Sequence, residues 1–147
     1  MLLIITGNGK GKTTSALGTA VRASGWGKKV CLAFFDKGGS HYGEQNILDL
    51  WQEKIETLRF GLKRFDEETR KFRFENHPED KEEAKKGVTE VLERLKSDYF
   101  LVICDELINC LNLHLLEKED IEALLDACPP TTHLILTGRH APDWLCQ

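Results

Sequence analysis

The apolar run Leu2-Leu3-Ile4-Ile5 passes through Thr6 into a turn rich in glycine and lysine, Gly7-Asn8-Gly9-Lys10-Gly11-Lys12-Thr13-Thr14. Residues 15–23, many of them small, then read as a helix that can lie close on a sheet. A buried strand, a glycine turn and a helix in that order constrain the chain strongly, because the turn must reverse the backbone and aim its N–H groups at one spot. An anion is what such a spot holds, helped by the positive end of the helix. Lys12 adds a point charge for phosphates, and the Thr13 hydroxyl suits a magnesium ion. The common form of this loop is glycine, four residues, then Gly-Lys-Ser/Thr. Gly11-Lys12-Thr13 fits it, while Thr6 stands at the first-glycine position. An ordinary glycine-rich turn with exposed lysines would read the same over these few residues. The flanking strand and helix favour the phosphate loop.

Downstream, strand-like and helix-like segments alternate. Residues 29–35, 55–60, 99–104 and 133–136 are the further strands, and 99–104 is apolar throughout. Helices are expected at 43–51, 107–112 and 119–127, with Pro129-Pro130 ending the last of these. Pro78 opens a long helix to about residue 96, with Glu79 and Asp80 in the first turn, where the helix dipole favours acids. A short helix near 142–145 closes the chain. The stretch 65–77 mixes charge with Phe65, Phe72 and Phe74 and has no clear period. Nearly unbroken apolar strands alternating with helices imply a mostly parallel sheet covered by helices on both faces. The expected class is α/β, P-loop NTPase-like (RecA-like), as one nucleotide-binding domain over residues 1–147.

In such sheets ligands gather at the carboxyl ends of the strands. The polar signatures fall there: the glycine turn, Asp36-Lys37, Asp105-Glu106 and Thr137-Gly138-Arg139. Asp105-Glu106 ends an apolar strand. Beside a phosphate loop, that is the place for a magnesium-binding carboxylate, since magnesium takes only one or two carboxylates besides waters and phosphate oxygens. Acids there could equally cap the next helix without any metal.

The formal net charge is −4. Residues 1–40 nevertheless carry Lys10, Lys12, Arg22, Lys28, Lys29 and Lys37 against the single acid Asp36, a positive end on an acidic chain. No polybasic tail points to nucleic acid. Cys31, Cys104, Cys110, Cys128 and Cys146 form no Cys-x-x-Cys pair, and Cys31 and Cys104 sit in apolar runs as core residues do. His41, His114, His133 and His140 offer no pair at ligand spacing, and His77 belongs to the turn before Pro78. With no signal-like or membrane-length segment, a reduced, cytoplasmic setting without a membrane partner is expected.

Over nearly its whole length the chain resembles the ATP:corrinoid adenosyltransferase family. The loop Thr6–Thr14 is similar to that family's phosphate loop, which also lacks the usual first glycine. Gly18-Thr19-Ala20-Val21-Arg22-Ala23 with Gly25-Trp26-Gly27 resembles its next helix and turn. Phe35-Asp36-Lys37-Gly38 and Gly43-Glu44-Gln45-Asn46 resemble its Phe-x-Lys-Gly and Gly-Glu-x-Asn. Asp105-Glu106-Leu107 and Thr137-Gly138-Arg139-x-Ala141-Pro142-x-x-Leu145 resemble its closing signatures.

The resemblance implies transfer of the 5′-deoxyadenosyl group of ATP to the cobalt of a reduced corrinoid, with release of triphosphate. Reduced cobalt is itself the nucleophile, so the protein's share is to align the ribose 5′ carbon and neutralise the departing triphosphate. Asn8, Gly9, Lys10, Gly11, Lys12, Thr13 and Thr14 would hold ATP. Asn8 and Arg22 match positions near the nucleoside, and Arg139 could reach the ligand. Thr13, Asp105 and Glu106 would hold magnesium, and Lys12 and Glu106 carry the catalytic roles. A homodimer and an electron donor for the cobalt are also implied. Two departures stand out. The family's aromatic Gly-Phe-Thr-Trp segment, tied to the corrinoid, corresponds to Gly61-Leu62-Lys63-Arg64-Phe65, with Phe60 and Phe65 as alternative apolar walls or core residues. The family's Asn after Asp-Glu-Ile is Ile108 here, with Asn109 next. The chain also ends at Gln147, where the family usually continues through another strand and a tail. A different P-loop ATPase or kinase, or a non-catalytic ATP-binding relative, remains open on sequence.

Overall fold

A computed structural model describes residues 1–38, 42–66, 68–73 and 75–147, apart from the Phe72 side chain. His41 and Phe74, singled out above, lie outside the described residues. The strands β1 (Leu2–Thr6), β2 (Val30–Phe34), β3 (Ile55–Arg59), β6 (Leu101–Asp105) and β7 (His133–Gly138) form one five-stranded sheet in the order β1-β7-β6-β2-β3. Every pairing in it is parallel. The α/β class expected from the alternation is the one observed. Three strands run past their expected ends, and the added residues are polar: Thr6, Asp105, and Thr137 with Gly138. Their backbones still pair with parallel neighbours, so the ligand-type residues belong to the sheet itself.

Because strand side chains alternate between faces, the apolar runs serve two cores. Cys31, Ala33, Phe35, Val102, Cys104, Leu134 and Leu136 meet α3 (Pro78–Leu95), α4 (Leu107–Asn112) and α5 (Lys118–Ala127) on one face. Val30, Leu32, Phe34, Leu101, Ile103 and Ile135 meet Ala16 and Ala20 of α1 (Lys12–Gly25) and Leu48 of α2 (Gly43–Leu50) on the other. The small residues of α1 thus do what their size suggests and let the helix sit on the sheet. Cys31, Cys104 and Cys110 are buried free thiols, and burial pushes each upward in pKa, Cys31 to about 12. No described helix is long and apolar enough to cross a membrane.

The stretch 65–77, unassigned by period, contains a short antiparallel hairpin of β4 (Phe65–Asp66) and β5 (Lys71–Phe72). Ion pairs tie its flanks to the rest. Arg64 Nε donates to Asp36 (2.7 Å) and its Nη2 to Asn76 (3.0 Å), while Arg73 forks onto both oxygens of Asp80 at 2.6 and 2.8 Å. Asp80 closes a capping box with His77 at the start of α3. A 3₁₀ turn at Asp143–Leu145 follows β7.

Candidate functional site

Parallel register sets the site. Thr6 lies opposite Gly138, and Asp105 lies opposite Phe34, so the ends of β1, β7, β6 and β2 reach one edge of the sheet side by side. The glycine loop crosses this edge. Gly7 (φ 125°) and Gly11 (φ 103°) are left-handed, a conformation in which a Cβ would be strained, and Gly11 is the N-cap of α1. Lys12 Nζ folds over the loop and donates to the carbonyls of Gly7 and Gly9, each at 2.8 Å. Asn8, Gly9, Lys10, Gly11 and Thr14 are exposed around it. Thr6, standing where a first glycine is usual, has a local reason: its hydroxyl accepts the Ala141 N–H at 3.1 Å and fastens the turn after β7 to the base of the loop.

Beneath the loop lies the fully buried Asp105 carboxylate. Thr13 Oγ1 sits 3.1 and 3.0 Å from its two oxygens, and Thr137 Oγ1 donates to Oδ1 at 2.6 Å. Lys37 Nζ donates to Oδ2 at 2.5 Å and to Thr13 Oγ1 at 3.0 Å. A carboxylate removed from water needs such partners, and here all are supplied by strand ends and the first turn of α1. Oxygen donors only, one of them a hydroxyl at the mouth of a phosphate loop, make a set suited to a small hard cation.

Glu106 is placed differently from its neighbour. It has left-handed φ (62°) at the head of α4, and its carboxylate accepts from Asn109 Nδ2 rather than meeting Thr13 or capping the helix. Burial, and next the Asp105 charge, raise the Glu106 pKa, opposed by Lys37, Lys12 and Arg139. Asn109 Oδ1 in turn accepts the Arg139 N–H at 2.8 Å. A Cβ on Gly138 would come 2.6 Å from Ile108 Cβ, so glycine lets α4 reach this close. Asn109, one position after Ile108, thus bridges Glu106 and the Arg139 backbone.

The structure therefore brings together Lys12, Thr13, Asp105 and Glu106 with the loop, and sets Arg139 at the rim. Arg22 is not among them. It stands exposed in the last turn of α1, roughly 13 Å beyond Thr13 along the axis at about 1.5 Å per residue. Residues that the sequence left without a role, Lys37, Thr137, Asn109 and Thr6, make the contacts that shape the site. Each lay inside a quoted strand-end motif or beside one, which was the available signal. Phe60 is a core residue: it is buried and its ring lies 5.6 Å from that of Phe35.

The family described as ATP:corrinoid adenosyltransferase BtuR/CobO/CobP matches residues 1–147. The chain belongs to the ATP:corrinoid adenosyltransferase family. Among curated relatives, the corrinoid adenosyltransferase of Escherichia coli (strain K12) is 34% identical over 141 residues, covering 95% of this chain and 67% of its own. Corrinoid adenosyltransferase CobA of Salmonella typhimurium is 35% identical over 142 residues, covering 95% of this chain and 67% of its own. The corrinoid adenosyltransferase of Pseudomonas aeruginosa is 33% identical, covering 100% of this chain and 70% of its own. The chain thus spans about two thirds of the length of these family members.

Proposed function

We propose that this chain transfers the 5′-deoxyadenosyl group of ATP to the cobalt of a reduced corrinoid. The cobalt electron pair forms a bond to the ribose 5′ carbon, the carbon–oxygen bond breaks, and triphosphate leaves with that bond's electrons. The observation that carries the reading is the glycine loop seated over Asp105 and Thr13, in a chain that matches the family from end to end. No proton has to be removed for this reaction, and the site accordingly concentrates on charge. Loop N–H groups from Asn8 to Thr14, with Lys10 and Lys12, bind the triphosphate; Arg139 stands where it can reach the ligand.

Magnesium is the cation this donor set suits. Thr13 and Asp105 would hold it, with Glu106 adjacent, and when bound it neutralises charge on the leaving group. The reading also includes a source of electrons for the cobalt and a second copy of the chain. It further includes a reducing, cytoplasmic setting, for which the five free cysteines are supporting evidence. The test is anaerobic incubation with ATP, magnesium and chemically reduced corrinoid, following the corrinoid spectrum and the phosphate product together. A new cobalt–carbon bond with stoichiometric triphosphate is expected. ADP and inorganic phosphate with an unchanged corrinoid would overturn the reading.

A further inference from the structure

Lys37 is the charged partner of Asp105, and the adenosyl-transfer reading leaves it without a task. It is 8% exposed, and it sits between two carboxylates, with Asp105 Oδ2 at 2.5 Å and Glu44 Oε1 at 3.9 Å. The rings of Phe34 and Tyr42 flank its ammonium at 5.2 and 5.3 Å from their centroids, a setting that stabilises a cation. The Thr13 hydroxyl has one proton, which goes to the Asp105 carboxylate, and the oxygen accepts from Lys37. Lys37 holds one of the two lone pairs of that oxygen, and a metal ion on Thr13 would lie close beside the ammonium. Asp105 repeats the pattern: Oδ1 serves Thr137 and Oδ2 serves Lys37.

The backbone cannot simply carry Lys37 away. Its N–H meets the Phe60 carbonyl at 3.4 Å, and Gly38 forms a parallel bridge with Lys63, so closely that a Cβ on Gly38 would overlap the Leu62 backbone. Only the side chain is free to change partners, with the Glu44 carboxylate at hand.

We propose that Lys37 is a resident cation in the metal position, competing with a divalent ion for Thr13 and Asp105. The chain then takes up the ion together with nucleotide and not by itself. This rests on the phosphate-site reading above. Adding a doubly charged ion beside a buried ammonium is unfavourable until a triphosphate brings the negative charge that can hold both. On its arrival the ammonium leaves Asp105 and turns to the phosphates or to Glu44, so Lys37 works as a positioning residue that couples metal to nucleotide.

The experiment titrates Mn²⁺, as the probe ion, into the full chain without nucleotide, for wild type and Lys37→Met. The variant should bind Mn²⁺ roughly tenfold or more tightly than wild type, and its melting temperature should rise with Mn²⁺ while that of wild type does not. Equal Mn²⁺ affinity in the two proteins overturns the proposal. Should Lys37→Met not fold, ¹⁵N-lysine NMR of wild type decides. The Lys37 ammonium resonance should stay in place with Mg²⁺ alone and move when a non-hydrolysable ATP analogue is added with Mg²⁺. A resonance that moves with Mg²⁺ alone, or stays fixed while the magnesium–nucleotide binds, sinks the Lys37 proposal and leaves the nucleotide reading standing. Failure of wild type to bind the magnesium–nucleotide at all removes both.

Discussion

Two regions meet at the carboxyl edge of the sheet and are built on different principles. The corner formed by the glycine loop, Asp105 and Thr137 stands on the ends of paired parallel strands, with apolar cores above and below. The segment after β3, residues 61–76 as far as they are described, has a two-residue-per-strand hairpin and relies on Arg64, Arg73, Asp36 and Asp80 for its attachment. The first is preorganised by the sheet and suits an invariant ligand such as a triphosphate. The second is held largely by charge. The difference teaches that two adjoining regions at one sheet edge can be put under separate physical control, and variants can test how separate they are.

The largest effect should come from Asp105→Ala. It leaves the buried Lys37 ammonium and the Thr137 hydroxyl without their acceptor, so unfolding free energy by urea titration should drop by about 3–5 kcal/mol. A loss below about 1 kcal/mol, the range of screened surface pairs, would mean the corner is wetter and less preorganised than the comparison requires.

Lys12→Ala should come next, with ATP affinity falling roughly ten- to a hundredfold, about 1.5–3 kcal/mol for lost charge-assisted bonds. Lys71→Ala, an equal loss of charge on the hairpin, should leave ATP affinity unchanged. Equal losses in both would reduce the comparison to a general positive field around the edge.

The asymmetry also governs how much could be read from sequence. The succession of strands and helices and the glycine loop were legible because continuous apolar runs, glycine placement and strand-end acids are local signals. Which acid faces Thr13 was not, since Asp105 and Glu106 look alike until α4 begins with a left-handed Glu106 and turns its carboxylate to Asn109. Lys37 was hidden for a similar reason: its partner is 68 positions away and becomes a neighbour only through the β2–β6 pairing. Arg22 is a motif position that helix geometry sets apart from the loop, in the last turn of α1. The described part of the 65–77 stretch had no period to read, since a two-residue hairpin and ion pairs to Asp80 leave no repeating apolar face.

A smaller effect belongs to α3, which supports the second region from below. A Cβ on Gly87 would lie 2.6 Å from Phe35 Cε1 and 2.9 Å from Phe60 Cδ2, inside a closed core. Gly87→Ala should therefore cost about 1–3 kcal/mol of stability by overpacking, measured by denaturant unfolding, with ATP affinity intact. Neutral or stabilising behaviour would show that the two rings can move aside and that Phe60 is less fixed than a core residue should be.

The smallest effect sharpens the comparison through pH. The Arg73 fork, and after it the His77 N–H, hold the Asp80 carboxyl well below its ordinary 3.8, at about 2, despite burial acting the other way. For a depressed acid, the unfolded chain binds the proton first. The stabilisation is therefore complete above about pH 4 and is lost as pH falls toward 2. Arg73→Gln removes the leading cause, so the variant should be less stable at neutral pH yet lose less on acidification. Unfolding free energies at pH 6, 4 and 3 measure both. Identical slopes in the two proteins would assign the acid sensitivity to another carboxylate. ATP affinity measured on the same variant completes the argument. If it is unchanged, the ionic segment and the phosphate corner are independent. If it falls, Asp36 is the link, since Arg64 grips it at 2.7 Å and it precedes Lys37 in the chain. In that case the Lys37 ammonium is tuned from the ionic segment.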